Sequence, residues 1–388
     1  MEAGGDMIIP YGQHIAPIFV KCHTLYQAKN LYSLYNVIAV FAETMKSELQ
    51  KPIYVQSLLP PLVARWNSLQ DDDRNLISVM ETLSVMATAM GTQLDVFARD
   101  VYNRCLNMIE TQITLMLASP DEYSYDFDFL VCALDLLAGI AEGVGAAFIQ
   151  LTQNTNLIQL LPHLCESHIA DIRLSTYALI GEISKHNITM IFNPNNNDLN
   201  KLFTTIIDNM MRDLRYNTEE EDDDVGYSNY MMNNMQNDTC NNSIWALGEI
   251  SKAIGTNANG FIGMAGIAFF EKISRIYMDK YAPIEIKNNC IVTISRFAIG
   301  SPTLIAQHMG SYFPNYCMLI NRIRPLVSFL IYIYIYIEII LTGNRQPPDR
   351  PGTGRGGRLA NARMTVGRAL ITSTGREGVL ACRRASRV

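Results

Sequence analysis

The sequence lacks the motifs that identify most enzymes and metalloproteins. It contains no nucleophile elbow and no H-E-x-x-H pair, and its glycine-rich run at 351–357 neither follows a convincing strand nor opens a helix. His163, Cys165 and His168 stand close together, but a structural metal site needs further ligands and none is suitably spaced. We therefore expect a protein that is not an enzyme and that has neither a cofactor nor a metal site.

Paired cysteines and a secretory signal are also missing. The eight cysteines are scattered singly, and most lie in apolar helical patterns, as free thiols do in reducing compartments. The N-terminus, MEAGGDMIIP, has neither a basic region nor a long apolar region. We expect a protein of the cytoplasm and nucleus.

Most of the chain has no excess of positive charge. The net charge is −6, and residues 343–388 hold ten Arg against one Asp and one Glu. That tail carries +8, so the rest of the chain carries −14. An acidic body argues against nucleic-acid binding and suits a basic partner.

What the sequence does contain is a repeated helical pattern. Apolar or small residues stand at 76, 80, 83, 87 and 90, and recur 54 residues later at 130, 134, 137, 141 and 144. This spacing places one buried stripe on a helix. Similar stripes make the following positions equivalent: Asn36, Glu81, Asp135, Tyr177, Ile244 and Ile291.

A second set of amphipathic stretches alternates with these helices. Two helices in a unit of about 40–47 residues is the period of HEAT and armadillo repeats. We predict an all-α fold over residues 1–324: a HEAT-repeat, right-handed superhelical solenoid (an α-α superhelix) of six to seven helical hairpins. The alternating stretches run roughly over 52–69, 94–118, 156–168, 200–215, 261–279 and 303–320.

Two segments interrupt the pattern. Residues 217–242 include the run EEEDDD, and six consecutive carboxylates repel one another, which predicts a solvated insertion loop. From about Arg324 the repeats stop. The run LVSFLIYIYIYIEIIL at 326–341 could be a strand but is short for a membrane span. Because a TA dinucleotide repeat encodes alternating Ile and Tyr, we interpret 325–388 as translated non-coding sequence, an aberrant and disordered tail, and expect no membrane segment.

Acidic residues keep a constant register beside the apolar stripes. Glu81 and Asp135 follow the second stripe position, and Glu142 lies seven residues beyond Asp135, on the same helix face. Two interpretations stay open: a solvated helix face, or an acidic track for an extended Lys/Arg-rich peptide. Trp245 also has two possible interpretations: it packs between helices, or it is an exposed anchor for a peptide. We expect Trp66 to pack in the core at the end of a first helix.

Four segments resemble the transportins, nuclear import receptors of the importin-β superfamily: VQSLLPPLVARWNSLQDDDRNL, FLVCALDLLAGIAEGVG, IRLSTYALIGEIS and CNNSIWALGEIS. The resemblance covers roughly residues 10–323. It implies second helices that line a concave surface for basic or hydrophobic proline-tyrosine nuclear localisation signals of cargo proteins. The Ran GTPase and nucleoporins are the further partners that it implies.

The resemblance also implies which residues contact the signal. One group matches the pocket for the signal's N-terminal part: Trp245, Asn241, Asn242, Asn289 and Val292. A second group matches the acidic peptide path: Val131, Asp135, Glu142, Glu81 and Glu43. Glu182 stands where the family has Asp, while Asn36 and Leu174 replace an acid and a glutamine.

The resemblance places the chain in the C-terminal half of the receptor. It implies that the N-terminal arch with most of the Ran site, the long acidic loop and the first tryptophan pocket have no counterpart here. Two alternatives remain: a generic HEAT-repeat scaffold or regulatory subunit, and a non-functional truncated gene product. An exposed Trp245 favours the receptor, and a buried Trp245 favours the scaffold.

Overall fold

A computed structural model describes residues 2–118, 126–217, 227–255 and 266–300 of the chain, and all regular structure in these ranges is helical. Short 3-10 segments join several of the α-helices. The α-helices are α1 (Gly12–Leu25), α2 (Ala28–Met45), α3 (Pro52–Ser68), α4 (Asn75–Met90), α5 (Asp95–Ala118), α6 (Phe127–Val144), α7 (Phe148–Thr152), α8 (Leu157–Cys165), α9 (Ala170–Asn187), α10 (Asn197–Arg212), α11 (Tyr227–Ile254), α12 (Ile267–Met278) and α13 (Ile284–Gly300).

The helices pair into successive hairpins. Six helices carry the equivalent repeat positions: α2, α4, α6, α9, α11 and α13. We call these the second helices, because each follows the partner helix of its hairpin. The predicted partner stretches match α3, α5, α8, α10 and α12, and the sixth, 303–320, lies outside the described residues. The prediction of an all-α HEAT-type repeat fold is confirmed.

The chain divides into two compact units, Met1–Ile206 and Ile207–Val388. In the first unit the second helices α2, α4, α6 and α9 pack side by side and contribute most of the buried side chains. The partner helices pack against this layer. Trp66 of α3 is buried as predicted, with the Arg104 guanidinium carbon 4.5 Å from its ring centre.

Small residues allow the second helices to approach one another closely. A Cβ on Gly143 of α6 would lie 2.2 Å from the carbonyl oxygen of Ala87 on α4, so only glycine fits there. One turn away, the Ser84 hydroxyl donates to the Asp135 carbonyl at 2.8 Å. The equivalent acidic positions on α4 and α6 are therefore held on directly adjacent backbones.

The second unit repeats this arrangement with α11 and α13. Gly248 of α11 faces Thr293 of α13, whose hydroxyl donates to the Ile244 carbonyl at 3.0 Å. Phe269 and Phe270 of α12 cover the same layer through ring contacts with Phe297 of α13. Burial of these aromatic rings against one another gives α12 and α13 a common core.

The predicted insertion loop is partly helical. Helix α11 begins at Tyr227, so residues 227–242 belong to a helix and not to a loop. The Asn237 side chain accepts from the Asn217 backbone N–H at 2.8 Å, and Gln236 Nε2 donates to the Arg215 carbonyl at 3.1 Å. These bonds fix the extra turns to the preceding segment, which the composition alone does not indicate. The acidic run at 219–224 and the tail at 325–388 lie outside the described residues.

One stretch, Phe127–Thr152, is long and apolar enough to cross a membrane, with a mean hydropathy of 1.8. It contains α6, and 72% of its apolar window is buried inside the protein. Its apolar character therefore follows from its place between α4 and α9 in the helix layer.

Candidate peptide-binding site

The predicted acidic residues of the first unit lie on four neighbouring helices. Glu43 belongs to α2, Glu81 to α4, Asp135 and Glu142 to α6, and Glu182 to α9. The first four are half-buried, whereas Glu182 is 8% exposed. The structure thus brings the equivalent carboxylates into one helix layer, and we call these five residues the acidic track.

A lysine that the sequence reasoning missed lies within this track. Lys185 Nζ is 3.0 Å from Glu182 Oε2 on its own helix and 3.9 Å from Glu142 Oε1 on α6. The Thr88 hydroxyl of α4 donates to Glu142 Oε2 at 3.2 Å, and His186 Nε2 lies 3.6 Å from Glu182 Oε2. Three second helices therefore meet at a cluster of two carboxylates and one ammonium group.

The signal for Lys185 was present in the sequence. Glu and Lys three residues apart on a helix lie close enough to form an ion pair. The contact with Glu142 could not be foreseen, because it depends on how far α9 is rotated and shifted relative to α6. Val131, assigned to the peptide path by resemblance, is fully buried and contributes to the core of α6 instead of a surface.

The second group of predicted residues lies on α11 and α13 of the second unit. Asn289 Nδ2 donates to Asn241 Oδ1 at 2.8 Å, so these two side chains are joined across the helices. Asn241, Asn289 and Val292 are half-buried. Asn242 is 5% exposed and belongs to the interior.

Trp245 is buried, with 3% of its surface exposed. Its indole N–H has no hydrogen-bond acceptor within the described part of the chain. Every residue from Asn242 to Ser251 is buried, so a 3.6-residue period does not separate an inner face from an outer one in this part of α11. The structure therefore favours packing for Trp245 over the exposed-anchor interpretation.

A buried ion pair joins α11 to α13. Arg296 Nη2 lies 2.7 Å from Glu249 Oε1, and the two side chains are 1% and 3% exposed. Sequence reasoning did not single out this pair. Substitution of either partner of such a buried pair strongly destabilises the fold, because the remaining charge is left unpaired in the interior.

The thiols are those of core cysteines. Cys105, Cys132, Cys165, Cys240 and Cys290 are buried. Burial raises the pKa of the Cys240 thiol to about 12 and moves that of Cys105 in the same direction. A protonated, enclosed thiol is a poor nucleophile and a poor metal ligand. Over the described ranges, no group of three or more His, Cys, Asp or Glu could hold a metal ion.

Comparison with known proteins identifies relatives by sequence similarity. No protein-family model matches the sequence. Human Transportin-1 is 31% identical over 321 residues, which are 82% of this chain and 32% of that protein. The transportin of Dictyostelium discoideum is 30% identical over 327 residues, 83% of this chain and 32% of its own length. The chain thus spans about a third of the length of these relatives.

The solved structures show the same fold at lower identity. Importin beta superposes with a TM-score of 0.53 over 94% of this chain and 38% of its own, at 13% identity. The importin subunit beta-2 of Schizosaccharomyces pombe is 24% identical over 83% of this chain. Sequence similarity thus shows that this chain is a homologue of the transportins, and its helical-repeat fold matches that of importin beta.

Proposed function

We propose that this chain takes part in nuclear protein import by binding extended, basic segments of cargo proteins along the acidic track. Homology to the transportins supports an import role. The observation that carries the peptide-binding proposal is the pairing of Glu81 and Asp135, half-buried carboxylates in the same register on adjacent helices. Carboxylates of this kind accept charge-assisted hydrogen bonds from Lys and Arg.

The spacing of the track suits an extended peptide. Packed helices have axes about 8–10 Å apart. An extended chain advances roughly 3.3–3.6 Å per residue, so about every second or third side chain would meet the next helix. Glu81 and Asp135 on α4 and α6 would then each receive one basic side chain of the same peptide.

The ligand proposed on this basis is a basic or hydrophobic proline-tyrosine nuclear localisation signal. Its basic part would lie on the acidic track of the first unit. Taken by itself, the second unit would offer a peptide amide and apolar contacts through Asn241, Asn289 and Val292. Trp245 and Asn242 would act by supporting α11 from within. Exchange between cytoplasm and nucleus, with the Ran GTPase and nucleoporins as partners, belongs to the same proposal and rests on the relatives alone.

The test is a titration of a fluorescent basic proline-tyrosine peptide, read by anisotropy. We expect Glu81→Gln and Asp135→Asn each to weaken binding roughly three- to tenfold, and the effects to shrink at high salt. Asp198→Asn is the matched control, because Asp198 is an exposed acid on α10 outside the track. Equal affinity for a peptide whose Lys and Arg are replaced by Gln would contradict the proposal.

A generic helical-repeat scaffold is the second candidate, and the burial of Trp245 is the observation that favours it. A scaffold binds the surfaces of folded partners and needs no acidic track. In that case the basic peptide would show only background affinity, and neither Glu81→Gln nor Asp135→Asn would alter it.

A further inference from the structure

Within the acidic track, Lys185 already occupies the position that a cation of the peptide would take. Its ammonium group is 3.0 Å from Glu182 Oε2 and 3.3 Å from Glu182 Oε1. It also lies 3.9 Å from Glu142 Oε1 on the neighbouring helix. One cation is therefore shared by two carboxylates, which leaves this part of the track with a net charge of −1.

The other helices of the first unit carry no cation at this register. Lys185 lies eight residues after the repeat position of α9, and the same position is Thr44 in α2, Ala89 in α4 and Gly143 in α6. The lysine side chain is only 30% exposed, and those of Glu142 and Glu182 are 19% and 10% exposed. Partial burial weakens solvent screening, so this ion pair is stronger than one on an open surface.

We infer that Lys185 is an internal competitor that sets the affinity of the acidic track for basic peptides at its α9 end. The inference rests on the proposed function. A peptide cation that approaches Glu142 must either displace the ammonium group of Lys185 or bind against its repulsion. Binding of basic peptides would consequently be weakest at the α9 end of the track.

The test removes the charge of Lys185 and keeps a polar side chain that is one atom shorter. We expect Lys185→Gln to tighten binding of an extended Lys/Arg-rich peptide roughly three- to tenfold, most strongly at low salt. Lys185→Arg keeps the cation and should bind as the wild type does. The matched control is Lys201→Gln, which removes a lysine with the same three-residue spacing to an acid, Asp198, but on an exposed surface.

A second variant locates the effect. Lys185→Gln combined with Glu142→Gln should lose part of the tightening, because one of the two carboxylates that the lysine neutralises is no longer present. Thermal unfolding of each variant shows whether the fold is retained. If the wild type and Lys185→Gln both bind no basic peptide, the proposed function fails. If the wild type binds, and Lys185→Gln binds no tighter than Lys201→Gln, the inference alone is overturned.

Discussion

Trp245 is the residue at which a receptor and a scaffold would differ most. An anchor for a bound peptide must present its ring to solvent, and Trp245 is 3% exposed. It lies next to Ile244 and Ala246, both fully buried, in the part of α11 that packs on α13. Its main contribution in this structure is to the stability of the second unit.

We predict that Trp245→Ala lowers the free energy of unfolding by about 3–5 kcal/mol, because it opens a cavity in a packed layer. Trp245→Phe should cost less, since most of the volume is kept. Denaturant unfolding followed by circular dichroism measures both. Affinity for a basic peptide, measured where each variant is folded, should remain close to the wild-type value. An unchanged melting temperature together with lost peptide binding would restore the exposed-anchor interpretation.

At the scale of helices, the ends of α2, α4 and α6 share one backbone conformation. The residue after each helix donates its N–H to an alanine carbonyl four residues earlier: Ala42, Ala87 or Ala141. That residue has a positive φ in all three, 58° at Gly91 and Gly145 and 49° at Lys46. Side chains are strained in this region of backbone space, so Lys46 departs from the glycine that suits the turn.

We predict that Lys46→Gly raises the free energy of unfolding by about 1 kcal/mol, because it relieves this strain. The reverse change, Gly91→Ala, should lower it by about 1–2 kcal/mol. Lys46→Ala is the control, since it removes the lysine but keeps the Cβ atom that is strained. Chemical denaturation distinguishes the three variants, and a gain from Lys46→Ala equal to that from Lys46→Gly would assign the effect to charge.

For the whole molecule, the distribution of charge decides which peptides can approach. The body is acidic, and six consecutive acids at 219–224 precede α11. Because Gln236 and Asn237 hold α11 to Arg215 and Asn217, about 15 Å along the helix from Tyr227, the acids have to be neutralised at constant chain length.

We predict that removing the charge of residues 219–224 tightens binding of a basic peptide, because six carboxylates that compete for its cations are removed. The effect should be larger at low salt, where the Debye length increases from about 10 Å at 0.1 M to 30 Å at 0.01 M. Replacing the six acids by serine at constant length separates charge from loop length. Unchanged affinity at both salt concentrations would reduce this segment to a linker.

The repeat period determined most of the fold. Because a helix buries one stripe every 3.6 residues, the apolar positions at 76, 80, 83, 87 and 90 were enough to place α4, and the same rule placed α6 and the partner helices. The register of Glu81 and Asp135 followed from the same alignment. Local periodicity is a property of the sequence, so these features could be obtained without a structure.

The tertiary structure decided which members of the predicted site are available. Val131 is covered because α6 packs between α4 and α9. Trp245 is covered in a part of α11 where every residue from Asn242 to Ser251 is buried, and periodicity does not indicate this. Lys185 reaches Glu142 only because α9 packs on α6 at one particular rotation and shift. The sequence by itself determined the helices, their order and the acidic register. Burial and pairing of the side chains depend on contacts between residues far apart in the chain, and only the packed layer sets these.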